Sequence, residues 1–387
     1  MSIFDEISNK TGLPKSDFLL DFDDLKLQTL ISKSKTKLIY TINQVSTNNT
    51  YIAEIFNINM DNYSKFEEIN LHKILQNQLK LDHISILKIK GFDIIDFNRK
   101  CNPVLFTEFA AKGSLSDLLY AKKKKSENIS LFLPTKKLIN ILGIASGMEY
   151  LHSQNIIHCQ LQTSSILLDD FYYPKISKFY NSQKMSEPSV LNKNDVFIEW
   201  PFVAPEIWES KSYSKASDVY AFSMIVYEII TNKKIKQKAK NLNKFINEVT
   251  NENYRPELPE SIPKCYKDLI ESCWSKYPQK RPSFSDIVKK LTSNPEFFSN
   301  EIDGAEYLRY IEIINPQINE DSDKLIEENV EKSLLNLSDY EKISLINYQY
   351  GYDLLCIKNI HTNEKFMALE SSKKIDLNSC DDDLALE

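Results

Sequence analysis

A length of 387 residues is too great for one small domain and suggests two or three folding units. A hydrophobic share of 42% and a charged share of 26% are those of a soluble globular protein, and a net charge of −6 speaks against a nucleic-acid-binding surface. MSIFDEISNK has no basic stretch leading into an apolar core, and no apolar run approaches the ~20 residues that span a bilayer, so neither a secretory signal nor a membrane anchor is expected.

The six cysteines show neither paired metal spacing nor a dense disulfide framework, which suits thiols in a reducing cytoplasm. The basic run Lys122–Lys125 reads as a solvated loop. Only 7 glycines occur, and none lies between Gly12 and Gly91.

In chain order, residues 25 to about 58 alternate apolar and polar in LKLQTLIS, KLIYTIN and TYIAEIF, which predicts three antiparallel strands. KFEEINLHKILQNQL follows with helical spacing of Phe66, Ile69 and Leu71, and CNPVLFTEF returns to strand. From Lys136 a helical stripe runs through Leu138, Ile141, Leu142, Ala145, Met148 and Leu151. DVYAFSMIVYEII, from Asp218 to Ile230, is apolar almost all round and predicts a helix buried inside its domain. After about Asn294 the text turns acidic and helical, and from Tyr340 it becomes strand-like again.

So placed, residues 21–294 resemble a protein kinase domain, nearest to the tyrosine-kinase-like serine/threonine group. FTEFAAKGSLSDLL is similar to the hinge region and GMEYLHSQNIIH to the helix that enters the catalytic loop. PKISKFY is similar to the metal-binding strand, VAPEIW to the end of the activation segment, and CWSKYPQKRPSFSDI to the closing Cys-Trp to Arg-Pro spacing. The resemblance implies an α+β, bilobal fold with a small antiparallel-sheet lobe (about 21–106), a hinge (107–112) and a larger helical lobe (113–294). Residues 1–20 form an N-terminal extension and 295–339 an acidic helical linker.

The resemblance also assigns roles. Glu206 should pair with Arg281, and Asp218 should anchor the backbone of the catalytic loop. His158 and Phe179 should join a packed column between the lobes. Ile39, Ala53 and Leu167 would sandwich an adenine ring, with Thr107 as gatekeeper and Glu108 and Ala110 offering hinge backbone groups.

The reactive positions differ. Phosphoryl transfer needs a glycine-rich cover, a phosphate-holding lysine, a base and a metal site. Ser32, Ser34 and Lys37 stand where the glycines belong. Ile55, or Glu54 one register away, takes the place of the strand lysine, and Glu68 is the helix glutamate left without it. Gln160 replaces the catalytic aspartate, Gln162 the lysine after it, Ser165 the metal-binding asparagine, and Cys159 the arginine that reads a phosphorylated activation segment. Lys178 replaces the metal-binding aspartate. An ammonium about 4 Å from a divalent ion repels it by roughly 8 kcal/mol at an effective dielectric of 20.

The chain's end repeats its beginning: ISLINYQYGYDLLCIKNIHTNEKFMALE aligns without a gap on QTLISKSKTKLIYTINQVSTNNTYIAEI, matching Ile346 to Ile31, Thr362 to Thr47 and Ala368 to Ala53. That alignment favours Ile55 over Glu54 at the lysine position, because Glu370 is then its counterpart. Residues 340–387 read as a partial, degenerate second small lobe, either truncated or docking its strands on the first domain.

The expectation is therefore a pseudokinase: not an enzyme, with a degenerate ATP-binding pocket, and acting in the cytoplasm as a signalling scaffold or allosteric regulator. Its partners would be other signalling proteins, an active kinase among them, with no nucleic acid or membrane. No metal and no cofactor are expected. The alternative is an atypical protein kinase or metal-independent ATP-binding sensor, in which Lys178 serves the phosphates.

Overall fold

The structure, a computed structural model, describes residues 22–34, 37–56, 75, 77–93, 95–100, 102–120, 132–185, 199–236, 239–299 and 301–314, with the backbones of 354–358, 365–369 and 374–375. Lys122–Lys125 and the helix positions Phe66, Glu68, Ile69 and Leu71 lie outside these residues, as do Ile346, Thr362 and Glu370. The chain divides into two compact units, residues 1–132 with 139–288, and residues 133–138 with 289–387.

Alternating side chains build the first sheet. Strands β1 (Leu25–Lys33), β2 (Lys37–Gln44), β3 (Thr50–Phe56), β4 (Ile89–Asp93) and β5 (Val104–Glu108) pair antiparallel in the order β1-β2-β3-β5-β4. Because neighbours along a strand point to opposite faces, the sheet sorts its residues into two sets. Leu25, Ile42, Ala53, Ile55, Val104 and Phe106 fill one face, where Phe22 and Phe97 also pack. Phe92 and Leu105 join Leu75 on the other, with Phe56, Ile89 and Tyr180 against them. The β1–β2 ladder continues to Lys33 opposite Leu38. At the turn, Ser34 N–H donates to the Lys37 carbonyl at 2.9 Å, and Lys37 N–H to Ser34 Oγ at 3.0 Å.

The helical lobe follows. It holds α1 (Leu115–Tyr120), α2 (Pro134–Ser153), α3 (Pro205–Ser210), α4 (Lys215–Thr231), α5 (Leu242–Thr250), α6 (Lys264–Cys273) and α7 (Phe284–Ser293). Among the described residues between α2 and α3 are four short strands: β6 (Ile156–Ile157) pairs with β9 (Gln183–Lys184), and β7 (Ile166–Leu168) with β8 (Pro174–Ile176). Residues Ser217 to Ile229 of α4 are all buried, as an all-round apolar helix requires. Ser214 caps that helix by accepting from Ser217 N–H, and Asn232 ends it in the left-handed conformation. Gly147 on α2 serves close packing, since a Cβ there would stand 2.8 Å from Ile176 Cδ1.

One ion pair staples this lobe. The Arg281 guanidinium, its side chain wholly inaccessible to solvent, donates to both oxygens of Glu206 at 2.7 and 2.8 Å. It also donates to the carbonyls of Ala216 and Ser275, so four of its five N–H groups are bonded.

In the second unit α8 (Gly304–Ile314) buries Tyr307 and Tyr310, and Tyr307 donates its hydroxyl to the Leu291 carbonyl at 3.2 Å. Strands β10 (Leu354–Lys358), β11 (Lys365–Leu369) and β12 (Lys374–Ile375) form a separate antiparallel sheet. Its register matches the first hairpin. Leu355 opposes Ala368 and Leu354 opposes Leu369, as Tyr40 opposes Ala53 and Ile39 opposes Glu54.

His83 precedes β4 and stacks on Tyr150 at 5.4 Å. Ser85 N–H donates to its Nδ1, so the proton sits on Nε2, facing Ser146 Oγ at 3.2 Å. Burial, then the charge of Lys175, pushes its pKa down to about 4, against the weaker pull of Asp82.

Two measurements follow from this packing. Arg281→Ala strands the Glu206 carboxylate and should cost about 3–5 kcal/mol in urea unfolding. Between pH 6.5 and about 4 the unfolded His83 binds a proton that the folded one refuses, so stability falls as pH falls through that window. His83→Gln should lessen the loss measured between pH 7 and pH 4.5 by roughly 2 kcal/mol.

Candidate functional site: a cleft with two lysines

The floor of the site hangs from Asp218, in the first turn of α4. Its carboxylate accepts from the backbone N–H groups of His158 at 2.9 Å and Cys159 at 3.1 Å, and meets His152 Nε2 at 2.9 Å. These bonds fix the loop that leaves β6. Cys159 there holds a left-handed backbone, φ 62°, at a cost of about 1–2 kcal/mol for a residue with a Cβ.

The neutral residues of the loop are engaged with one another. Gln162 N–H donates to Ser165 Oγ, and Ser165 Oγ donates back to the Gln162 carbonyl at 2.7 Å. The Gln162 amide donates to Ser164 Oγ at 2.9 Å and accepts from Glu199 N–H at 3.0 Å. Gln160 accepts from the Asn181 amide at 3.2 Å. Thr163 donates to the buried Glu228, whose carboxyl is pushed up by burial.

His158 is fully buried and packs edge-on against Phe179 with ring centroids 5.0 Å apart. Gln160 N–H donates to its Nδ1, which leaves Nε2–H to donate to the Ser177 carbonyl at 3.0 Å. Burial pushes this imidazole down, toward the neutral form.

Lys178 follows Ser177 with φ 65° and ψ 52°, a second left-handed residue. Its Nζ donates to Ser164 Oγ at 3.1 Å. Burial first, and then the charge of Lys37, hold its pKa below the usual lysine range, with Glu54, Asp117 and Glu199 opposing. Lys37 is bonded to Tyr180, two residues beyond Lys178, so two ammonium groups lie in one neighbourhood.

The roof corrects two sequence assignments. Ile52 pairs with Thr107, and Glu54 with Leu105, so these four share the face turned toward Phe92 and Leu75. Ile39 and Lys37 of β2 belong to that face as well, because Ile39 opposes Glu54. Ala53 and Ile55 point the other way, into the outer cluster. Ala53 therefore faces away from the side of the sheet that Ile52 shares with Ile39. Glu54, not Ile55, stands at the strand-lysine position, and by the shared register its counterpart in the second hairpin is Leu369 rather than Glu370.

At the hinge, Thr107 is buried. Glu108 accepts from Lys88 N–H at 2.9 Å and lies 3.5 Å from Lys175 Nζ, while the Ala110 carbonyl accepts from Gly113 N–H. Leu167, half-buried, sits on β7 opposite Lys175.

Sequence reasoning missed one constellation. Lys37 Nζ lies 2.9 Å from Glu54 Oε2 and donates to Tyr180 Oη at 2.8 Å, with the ammonium 4.3 Å from the centroid of that ring. Tyr180 Oη in turn donates to Glu54 Oε2. Burial, then the Glu54 charge, drives the phenol well above its usual range, so it remains a donor. The available signal was parity: Lys37 is two residues from Ile39 on an alternating strand.

These residues do not fit a divalent cation held between positions 165 and 178. The Lys178 ammonium has no lone pair to offer, and Ser165 Oγ is committed to its own loop. Among the described residues no group of three His, Cys, Asp or Glu gathers, and no helix is long and apolar enough to cross a membrane.

Comparison with known proteins accords with this architecture. Residues 43–291 match the family model described as protein tyrosine and serine/threonine kinase. A probable serine/threonine-protein kinase of Dictyostelium discoideum is 29% identical over 76% of this chain and 21% of its own length. A dual specificity protein kinase of the same organism is 32% identical over 56% of the chain and 16% of its own. A serine/threonine/tyrosine-protein kinase of Arabidopsis thaliana is 32% identical over 57% of the chain and 56% of its own. The chain thus spans between about a sixth and just over half of these relatives. The matches overturn the expectation that the chain is not an enzyme, since both the family and the relatives are named as protein kinases.

Lys178 combines a desolvated charge with a left-handed backbone that asparagine tolerates better. Lys178→Asn should therefore raise the stability of the ligand-free chain by about 1–2 kcal/mol, read as a higher melting temperature.

Proposed function

Because this chain belongs to the protein tyrosine and serine/threonine kinase family, we propose that it is an atypical protein kinase whose cleft takes ATP without a divalent metal. What carries this reading is the pair of ammonium groups, Lys37 and Lys178, on the phosphate side of a cleft otherwise lined by Ile39, Ile52, Thr107 and Leu167. A polyphosphate brings several negative charges that a partly desolvated site must neutralise, and cations there act at far more than their strength in water. In the wider family a metal does much of that work. Here the donor set favours ammonium groups, each with three N–H donors and no geometric demand.

A second reading has its own support. Gln160 is tied to Asn181 and presents an amide, which holds a hydroxyl by hydrogen bonding but takes no proton at neutral pH. That favours a metal-independent ATP sensor, signalling as a scaffold or allosteric regulator of the proteins it binds, an active kinase among the candidates. Residues 340–387 fit the start of a second small lobe, a reading supported by the equal registers of the two hairpins.

The test is a thermal-shift titration of the full chain with ATP, with and without EDTA. A rise of several degrees that EDTA leaves unchanged and Lys178→Ala diminishes is the expected result. No shift with ATP under either condition would overturn it.

A further inference from the structure

Strand β3 presents a carboxylate into the cleft and strand β2 an ammonium, the reverse of what a lysine on β3 would give. The pair is partly shielded, with side-chain exposures of 26% for Lys37 and 16% for Glu54. Its position on the strand is fixed, since Lys37 N–H is held by Ser34 Oγ at the turn and Leu38 is laddered to Lys33 on one side and Ile55 on the other.

The hydrogen-bond order of the cluster matters. Lys37 donates to Glu54 and to Tyr180, and Tyr180 donates to Glu54. Glu54 is thus satisfied by two donors at once. Of the three N–H bonds on Lys37, the described residues engage two, and the third remains for a ligand. Lys178 adds a second ammonium to the site, opposed by Glu54 and, more weakly, by Asp117 and Glu199.

We propose that Lys37 is the roof cation of the nucleotide site: it grips the polyphosphate from β2, and Glu54 on β3 aims it. The proposal rests on the ATP-binding reading above and names the group that distinguishes a nucleotide from its nucleoside. Tyr180 steadies the aim through its hydroxyl and its ring face, which also favours a cation. Lys178 meets the same phosphates from below.

The experiment is calorimetric titration of the full chain with ATP, ADP and adenosine, for the unaltered protein, Lys37→Met, and the exchange Lys37→Glu with Glu54→Lys. Lys37→Met should weaken ATP and ADP by about 10- to 100-fold, the worth of a charged hydrogen bond, and leave adenosine within about twofold. The exchange puts the ammonium on β3 and should recover at least tenfold of the lost ATP affinity. It also keeps the ion pair should Lys37→Met fail to fold. Equal ATP affinity in Lys37→Met, equal losses for ATP and adenosine, or an exchange variant that binds ATP no better than Lys37→Met would each overturn the assignment. If the unaltered chain binds neither ATP nor adenosine, the ATP-binding reading itself falls; if it binds ATP and Lys37→Met binds as well, only the role of Lys37 falls.

Discussion

The carboxylate of Asp218 is the point from which the lower half of the cleft is suspended. It is buried in a helix with no polar face, and it spends its oxygens on two backbone N–H groups and an imidazole. A carboxylate in such surroundings is tolerable only when hydrogen-bonded, so the loop must pass where it does. That fixed course brings His158 against Phe179, sets Ser177 and Lys178 on the next strand's exit, and leaves the glutamines to arrange themselves around it. The Asp218 anchor does not depend on which reactive groups the loop carries.

The polar character of the loop has its own reason. Gln160, Gln162 and Ser165 are all buried, and apolar replacements would orphan N–H and C=O groups that their side chains satisfy. Neutral hydrogen bonders hold the shape without the desolvation that a carboxylate or ammonium would bring. Lys178 is the exception, an ammonium in a strained backbone beside a second ammonium. Strain and desolvation of this kind persist where a site needs them.

Much of the fold was legible because its signals are local. The strand alternation around Ile39, the apolar helix after Asp218 and the spacing from Trp274 to Arg281 each lie within one stretch of chain. The phase of β3 was not legible. TYIAEIF carries apolar residues at both parities, since that strand is covered on both faces, and a period of two then gives no orientation. The repeat at the chain's end pointed to Ile55, because an alignment shows which residues correspond and not which face they share. The contact of Lys37 with Tyr180 spans 143 positions and exists only after the lobes meet, so no local pattern announces it. The altered residues had suggested the loss of enzymatic character; the family match and the kinase relatives do not share that conclusion.

Tyr180 bears on timing as well as on shape. Its ring lies under the small lobe beside Phe56, and its hydroxyl is bonded to β3 and its neighbour, although the residue belongs to the lower lobe. Parting the lobes must break those bonds and uncover that ring together, so the tie acts as a latch on the breathing of the cleft. A tie of this sort would slow entry to the cleft and exit from it alike, and so would act on rates of exchange before it acted on shape.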